Sequence, residues 1–276
     1  LEKITMLGTG AAMVTKCYNT CFTISNGKEY FLVDTGGGNT ILTNLEKAKI
    51  PIDKIHNVFI SHSHNDHITG IVWIIRAISQ KIIDGNFKDN LNIYCHKSVE
   101  GIIRTISELL LQKKFTENID KRIIFKQISD RKTEKILNYD ITFFDIKSTK
   151  LLQYGFTAKF ENGKKLTFLG DEPFNEGVHD LAKDSDYIMH EAFCLFSDRD
   201  KFKPYEKHHS TVKDACINGT KLNAGNIILM HTEDKNITNR KELYTKEGRE
   251  FFKNNIIVPE DLEEITLSNK CNDTIL

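Results

Sequence analysis

Residues 58–67 constrain this chain more than any other stretch. A short apolar run, residues 58–60, leads directly into Ser61-His62-Ser63-His64-Asn65-Asp66-His67. The apolar run reads as a buried strand, and four potential metal ligands fall within the six residues 62–67. Alternate side chains of an extended loop point the same way. His62 and His64 can therefore reach one ion, and Asp66 and His67, where the chain turns into a helix, can reach a second beside it. Neutral imidazoles and carboxylates suit zinc, with manganese or iron as the alternatives. Core packing gives no reason for so many polar groups directly after a buried strand.

The rest of the chain alternates strands and helices. Strands are expected over 4–7, 21–24, 30–33, 91–94, 123–127, 141–146, 154–160, 165–169, 187–189 and 227–230. Helical spacing marks 38–49, 68–80, 98–111, 212–222 and 239–253. Asn26-Gly27 and Asn162-Gly163 are hairpin signals. Mixing of the two element types in both halves favours an α/β layered architecture. With no repeat and no linker, residues 1–276 read as one domain. Three further strands each end in polar residues: Asp171 after Phe168-Leu169-Gly170, His190-Glu191 after residues 187–189, and His231 after residues 227–230. Sites in open α/β sheets are built at such carboxyl ends. His208-His209-Ser210-Thr211 precedes a helix; Ser210 or Thr211 would serve as its N-cap, which accounts for neither histidine.

Charge and cysteine content narrow the classes. Lys+Arg and Asp+Glu both number 38, so no general basic excess invites a polyanion. The best local basic patch, Lys201, Lys203 and Lys207, reads as a solvated loop. Six cysteines, Cys17, Cys21, Cys95, Cys194, Cys216 and Cys271, form no Cys-x-x-Cys pair and no disulfide framework. Reduced thiols in a cytoplasmic protein are the simplest account. No stretch approaches a membrane span of about 18 apolar residues, and no signal peptide is visible.

His-x-His-x-Asp-His after a strand resembles the signature of the metallo-β-lactamase superfamily. Further motifs, in order, resemble its ribonuclease Z branch: Leu7-Gly8-Thr9-Gly10, Phe31-Leu32-Val33-Asp34-Thr35-Gly36, Gly170-Asp171, His190-Glu191-Ala192-Phe193, His209-Ser210-Thr211, the strand ending at His231, and Pro259-Glu260-Asp261. The resemblance implies an αβ/βα four-layer sandwich of two mixed sheets flanked by helices, with two metals at one edge. It implies that His62 and His64 bind the first metal, that Asp66, His67 and His231 bind the second, that Asp171 bridges them, and that Asp34 holds a ligand histidine. The expected activity is a metal-dependent hydrolase, foremost a phosphodiesterase that uses a metal-bound hydroxide. Asp66 would also orient the nucleophile, and His209, supported by Glu191, would contact the phosphate or protonate the leaving oxygen.

Two departures from the branch shape that expectation. The family places a further histidine shortly before an aromatic-Gly-aromatic strand start, here Tyr154-Gly155-Phe156, and this chain has no histidine between His96 and His179. Counting back from Gly155, Thr149 falls at that place, so the first metal is expected to be weakly held or missing. The basic arm that grips tRNA in the family is also absent: only a hairpin fills 149–171. A small phosphodiester is therefore favoured over RNA as substrate. Precursor-tRNA 3′ processing of the ribonuclease Z type, or a degenerate non-catalytic metal-binding member of the fold, are the alternatives. Hydrolysis of a thioester, lactone or β-lactam is disfavoured by the two later histidine motifs, and a di-iron redox role by His64. The resemblance also implies a homodimer. Residues 113–135 read as a surface excursion or a lid.

Overall fold

The computed structural model describes residues 2–267; Cys271 lies outside them. Fourteen strands form two seven-stranded sheets among the described residues. The first sheet has the order β14-β1-β2-β3-β4-β5-β6 and the second β13-β12-β11-β10-β9-β8-β7. The strands are β1 Lys3–Gly8, β2 Cys21–Ser25, β3 Tyr30–Val33, β4 Ile55–Phe59, β5 Leu91–Cys95, β6 Ile123–Gln127, β7 Thr133–Ile136 and β8 Tyr139–Asp145. They continue as β9 Tyr154–Lys159, β10 Lys165–Phe168, β11 Tyr187–Glu191, β12 Asn226–Met230, β13 Asn255–Ile257 and β14 Glu264–Thr266. The helices are α1 Thr40–Lys47, α2 Asn65–Ile68, α3 Ile71–Ile83, α4 Lys97–Leu110, α5 Lys113–Thr116, α6 His179–Ala182, α7 Arg199–Phe202, α8 Val212–Lys221 and α9 Arg240–Gly248.

Each sheet is antiparallel in one half and parallel in the other. Strands β3 to β6 run parallel in the first sheet, and β10 to β13 in the second. The inner faces meet in an aromatic core in which Phe22, Phe31 and Phe59 of the first sheet pack on Phe143, Phe156 and Phe168 of the second. The outer face of the first sheet is covered by α1, α3 and α4 through Ile41, Ile75 and Val99, among others. That of the second is covered through Ala182, Ala215 and Tyr244 of α6, α8 and α9. Helix, sheet, sheet and helix form the four layers expected from the sequence. Strands buried on both faces, such as β2, are apolar or small at every position, as doubly covered strands must be.

The two hairpin signals fall where they should. Gly27 and Gly163 take positive φ, +88° and +80°, and Asn26 Oδ1 accepts from the backbone of Lys28 and Glu29. Two expectations are corrected. The helix placed over 68–80 is two helices, α2 and α3, meeting at Gly70. Gly70 packs so closely on Thr35 that a Cβ there would collide with the Thr35 carbonyl oxygen. The helix placed over 239–253 stops at Gly248, where a Cβ would meet Cys216 Sγ and Ile256 at 2.8 Å. Residues 113–135, read as a surface excursion or a lid, carry α5, β6 and the start of β7, and these two strands are the outermost of the two sheets. The short strands β13 and β14 have only three residues each, too few for a periodic signal.

Candidate active site

The site lies where the parallel strands end. The chain leaving β3 carries Asp34, that leaving β4 carries residues 61–67, that leaving β10 carries Asp171, β11 ends on Glu191, and β12 delivers His231. Hydrogen bonds along the rim fix these exits: Asp34 N donates to Phe59 O at 2.8 Å, and Thr35 N to His67 O at 2.9 Å. Two of the delivered residues, Asp34 and His231, take left-handed backbone conformations, φ 54° and 56°. Such conformations cost energy for non-glycine residues and gather at functional sites.

Five of the six residues expected to hold metal are buried: His62, Asp66, His67, Asp171 and His231. His64 is half-buried at the rim. Asp171 stands at the centre. Its Oδ2 lies 3.5 Å from His62 Nε2, 3.4 Å from His67 Nε2 and 3.7 Å from His231 Nε2. Asp66 Oδ2 lies 3.3 Å from His67 Nε2, and His64 Nδ1 lies 2.9 Å from His62 Nε2. Two groups have donor atoms converging closely enough to hold an ion: His62, His67 and Asp171, and Asp66, His67 and His231. His64 joins neither group; it meets only the His62 ring edge, with centroids 4.6 Å apart.

Asp34 stands behind this set, as the resemblance implies. Its Oδ2 accepts from His67 Nδ1 at 2.9 Å and from Ser61 Oγ at 2.7 Å, and its Oδ1 from Ser61 N at 2.8 Å. With the His67 proton held on Nδ1, Nε2 is turned into the site, where it is buried without a hydrogen-bond partner. Burial pushes the Asp171 carboxyl up, but the surrounding histidines outweigh it and hold it well below the usual carboxylate range. Asp66 is shifted in the same direction against the same burial by His67 and His231. Burial drives His62 well down and His231 down to about 3. His67 goes the other way: burial lowers its pKa, but Asp66, Asp34 and Asp171 outweigh burial and raise it well above the usual imidazole range. Ionised carboxylates and neutral imidazoles are the forms that bind a divalent cation, so an ion bound here would take the place of the His67 proton. The orphaned His67 Nε2 beside the Asp66 and Asp171 carboxylates fits such an ion.

His209 packs on the outer edge. Its ring lies 5.3 Å from that of His231 and stacks on Phe193 at 5.1 Å. Nδ1 is 3.0 Å from Asp171 O and 3.2 Å from Glu191 Oε2. Glu191 is fully buried and also accepts from Ser210 N. Burial lowers the His209 pKa, but the hydrogen bond and charge of Glu191 outweigh it and the pKa is raised. Thr211 caps α8 in a reciprocal capping box with Asp214, so the conformation that ends the loop also sets His209. Its neighbour His208 is exposed, as are Lys201, Lys203 and Lys207; these lysines are solvated as expected, but Lys201 sits on α7 and not in a loop.

One residue of the site escaped sequence reasoning. Thr149 is exposed, and its Oγ1 reaches His208 Nδ1 at 3.3 Å, away from His62. Gln153 is the side chain that faces His62 instead: it is buried, with Nε2 2.7 Å from His62 Nδ1 and hydrogen-bonded to Asp171 Oδ1. A lone glutamine before a strand carries no motif. Only the pairing of Tyr154 N with Ser61 O, across the two sheets, shows that it reaches the site.

Fold and site together define a metal-dependent hydrolase of the metallo-β-lactamase fold. The chain belongs to the family described as anti-Pycsar protein Apyc1, whose model matches residues 2–256. It is also similar to the ribonuclease Z of Nanoarchaeum equitans, at 26% identity over 322 aligned positions covering 99% of this chain and 97% of that protein. Among solved structures it resembles the metallo-beta-lactamase fold protein YhfI of Bacillus subtilis, with a TM-score of 0.78 and 18% identity, covering 96% of this chain and 98% of that one. The short form of human tRNase Z aligns with a TM-score of 0.74 and 20% identity, over 97% of this chain and 100% of that one. Among the described residues, no helix is long and apolar enough to cross a membrane.

Proposed function

We propose that this protein is a phosphodiesterase acting on a small phosphodiester. The observation that carries the reading is the convergence of His62, His67, Asp66, Asp171 and His231 beside a His209 backed by the buried Glu191. These five, with His64 at the rim, would hold the metal, and zinc suits the donor set best. A divalent ion held there supplies Lewis acidity toward a phosphoryl oxygen and toward the attacking water. Asp34 keeps the His67 lone pair turned into the site. Asp66, at the start of α2, orients the attacking water. His209 has its Nδ1 engaged by Asp171 O and Glu191, which leaves Nε2 to contact the phosphate and deliver a proton to the leaving oxygen.

The size of the substrate is argued from what surrounds the site. Between Gln153 and Asp171 the chain forms only β9 and β10, adjacent strands within the second sheet joined by a turn at residues 160–164. The net charge is zero. Neither feature favours long-range capture of a polyanion. A second reading, 3′ processing of precursor tRNA, is favoured by the near full-length similarity to a protein named ribonuclease Z. A homodimer is supported by the apolar surface around Trp73, Leu109 and Leu110, which stand 40%, 77% and 70% exposed on α3 and α4. A second copy of the chain would cover it, and light scattering of Leu110→Lys, expected to be monomeric, checks this.

The deciding assay is the initial rate on an aryl phosphodiester, then on cyclic nucleotides and precursor tRNA, with zinc-loaded and chelator-treated protein. Chelator-sensitive turnover of the small diesters supports the reading. Turnover of precursor tRNA alone shifts it to the second, and no turnover by zinc-loaded protein refutes both.

A further inference from the structure

The two halves of the cluster are not equally furnished. Around His67 stand two carboxylates, Asp66 and Asp171, and a second imidazole, His231, with a third carboxylate behind. On the other side, His62 shares Asp171 and meets His64, and the side chains at its Nδ1 are the neutral amide of Gln153 and the Ser61 hydroxyl. A carboxamide is not among the usual zinc donors.

The hydrogen bonds sharpen the difference. Gln153 Nε2 hydrogen-bonds Asp171 Oδ1, which places its nitrogen, and not its oxygen, toward the carboxylate. The same nitrogen lies 2.7 Å from His62 Nδ1 and donates its second hydrogen there. An imidazole that accepts at Nδ1 carries its own proton at Nε2. In His62 that is the atom facing Asp171 Oδ2 and His64 Nδ1, so the Gln153 contact disfavours the bare Nε2 that an ion needs there. Ser61 Oγ lies 2.9 Å from the same Nδ1 with its own hydrogen given to Asp34 Oδ2, so it faces Nδ1 as an acceptor and favours a proton there, against the Gln153 amide nitrogen. Turning the amide over would set its oxygen against Asp171 Oδ1. Gln153 Oε1 meanwhile is buried without a hydrogen-bond partner, and the side chain is 1% exposed. At His67 the reverse holds: Asp34 fixes the proton on Nδ1 and leaves Nε2 open.

We propose that Gln153 makes the metal centre unequal, with one ion held tightly at Asp66, His67, His231 and Asp171 and a second held weakly at His62 and His64. This rests on the metal-dependent reading of the site above. Gln153 is a positioning residue: it contacts His62 Nδ1 and Asp171 Oδ1 together and occupies the place where a charged or imidazole donor would complete the second half.

The test is a zinc titration of the metal-stripped full chain by calorimetry, with retained zinc counted by elemental analysis after dialysis. The wild type is expected to keep one ion, with the second binding at least about 10–100-fold more weakly. Gln153→Glu, which places a carboxylate there, is expected to keep two, and Gln153→His is the second variant should the first fold poorly. Two equally tight ions in the wild type overturn the inference and leave the hydrolase reading standing. So does a folded variant, by circular dichroism, whose weaker site is unchanged. A wild type that binds no zinc overturns both.

Discussion

Replacing Asp34 by asparagine tests how the site is held together. The substitution keeps shape and volume and removes one negative charge. Asp34 is buried and accepts three hydrogen bonds, two on Oδ2 from His67 Nδ1 and Ser61 Oγ and one on Oδ1 from Ser61 N. An asparagine has one oxygen to offer. With that oxygen toward His67, its amide nitrogen meets the Ser61 N–H, donor against donor. Leaving one buried donor unsatisfied costs about 1–3 kcal/mol. With the amide nitrogen toward His67 instead, Nδ1 must accept, and the ring proton moves to Nε2, the atom turned toward Asp66 and Asp171. Loss of such a supporting partner lowers metal affinity about 10–100-fold. Urea unfolding of metal-stripped protein reads the first effect and zinc calorimetry the second. Asp34→Asn with unchanged urea midpoint and unchanged zinc affinity would refute the view that Asp34 orients His67.

Three further outcomes are expected. His209→Ala should lower kcat on an aryl phosphodiester by about 10²–10⁴ and leave zinc content intact; lost zinc would instead make His209 a ligand. Gly70→Ala drives a Cβ into the Thr35 carbonyl oxygen and should destabilise by about 1–3 kcal/mol, read as a lower melting temperature; an unchanged value would show that the junction of α2 and α3 can give. His190, fully buried with Nδ1 on Glu191 O and Nε2 accepting from Asn218, has its pKa lowered by burial from 6.5 to about 4. The unfolded chain then binds a proton that the fold does not, so stability is intact above pH 6.5 and falls as the pH drops toward 4. The loss approaches about 3 kcal/mol. His190→Gln should flatten that fall in urea titrations, and an equally steep fall would remove His190 as its source.

Much of this protein was legible before folding. The apolar strand that runs into residues 61–67 announces both a layered α/β fold and a metal centre, because a buried strand end is where polar side chains converge without exposing the core. Asp171, Glu191 and His231 carry the same signal, each at the end of an apolar run. The hairpins at Asn26-Gly27 and Asn162-Gly163 were legible from the positive φ their glycines supply. What local pattern could not decide is set by contacts between distant segments. The break at Gly70 depends on the Thr35 carbonyl, and three-residue strands such as β13 exist because a neighbouring strand pairs with them. Counting residues from Gly155 led to Thr149, yet the chain between β8 and β9 turns that side chain outward to His208 and brings Gln153 against His62. A glutamine has no spacing or periodicity to mark it. Its place between His62 and Asp171 arises only when the two sheets close on each other and Tyr154 N finds Ser61 O.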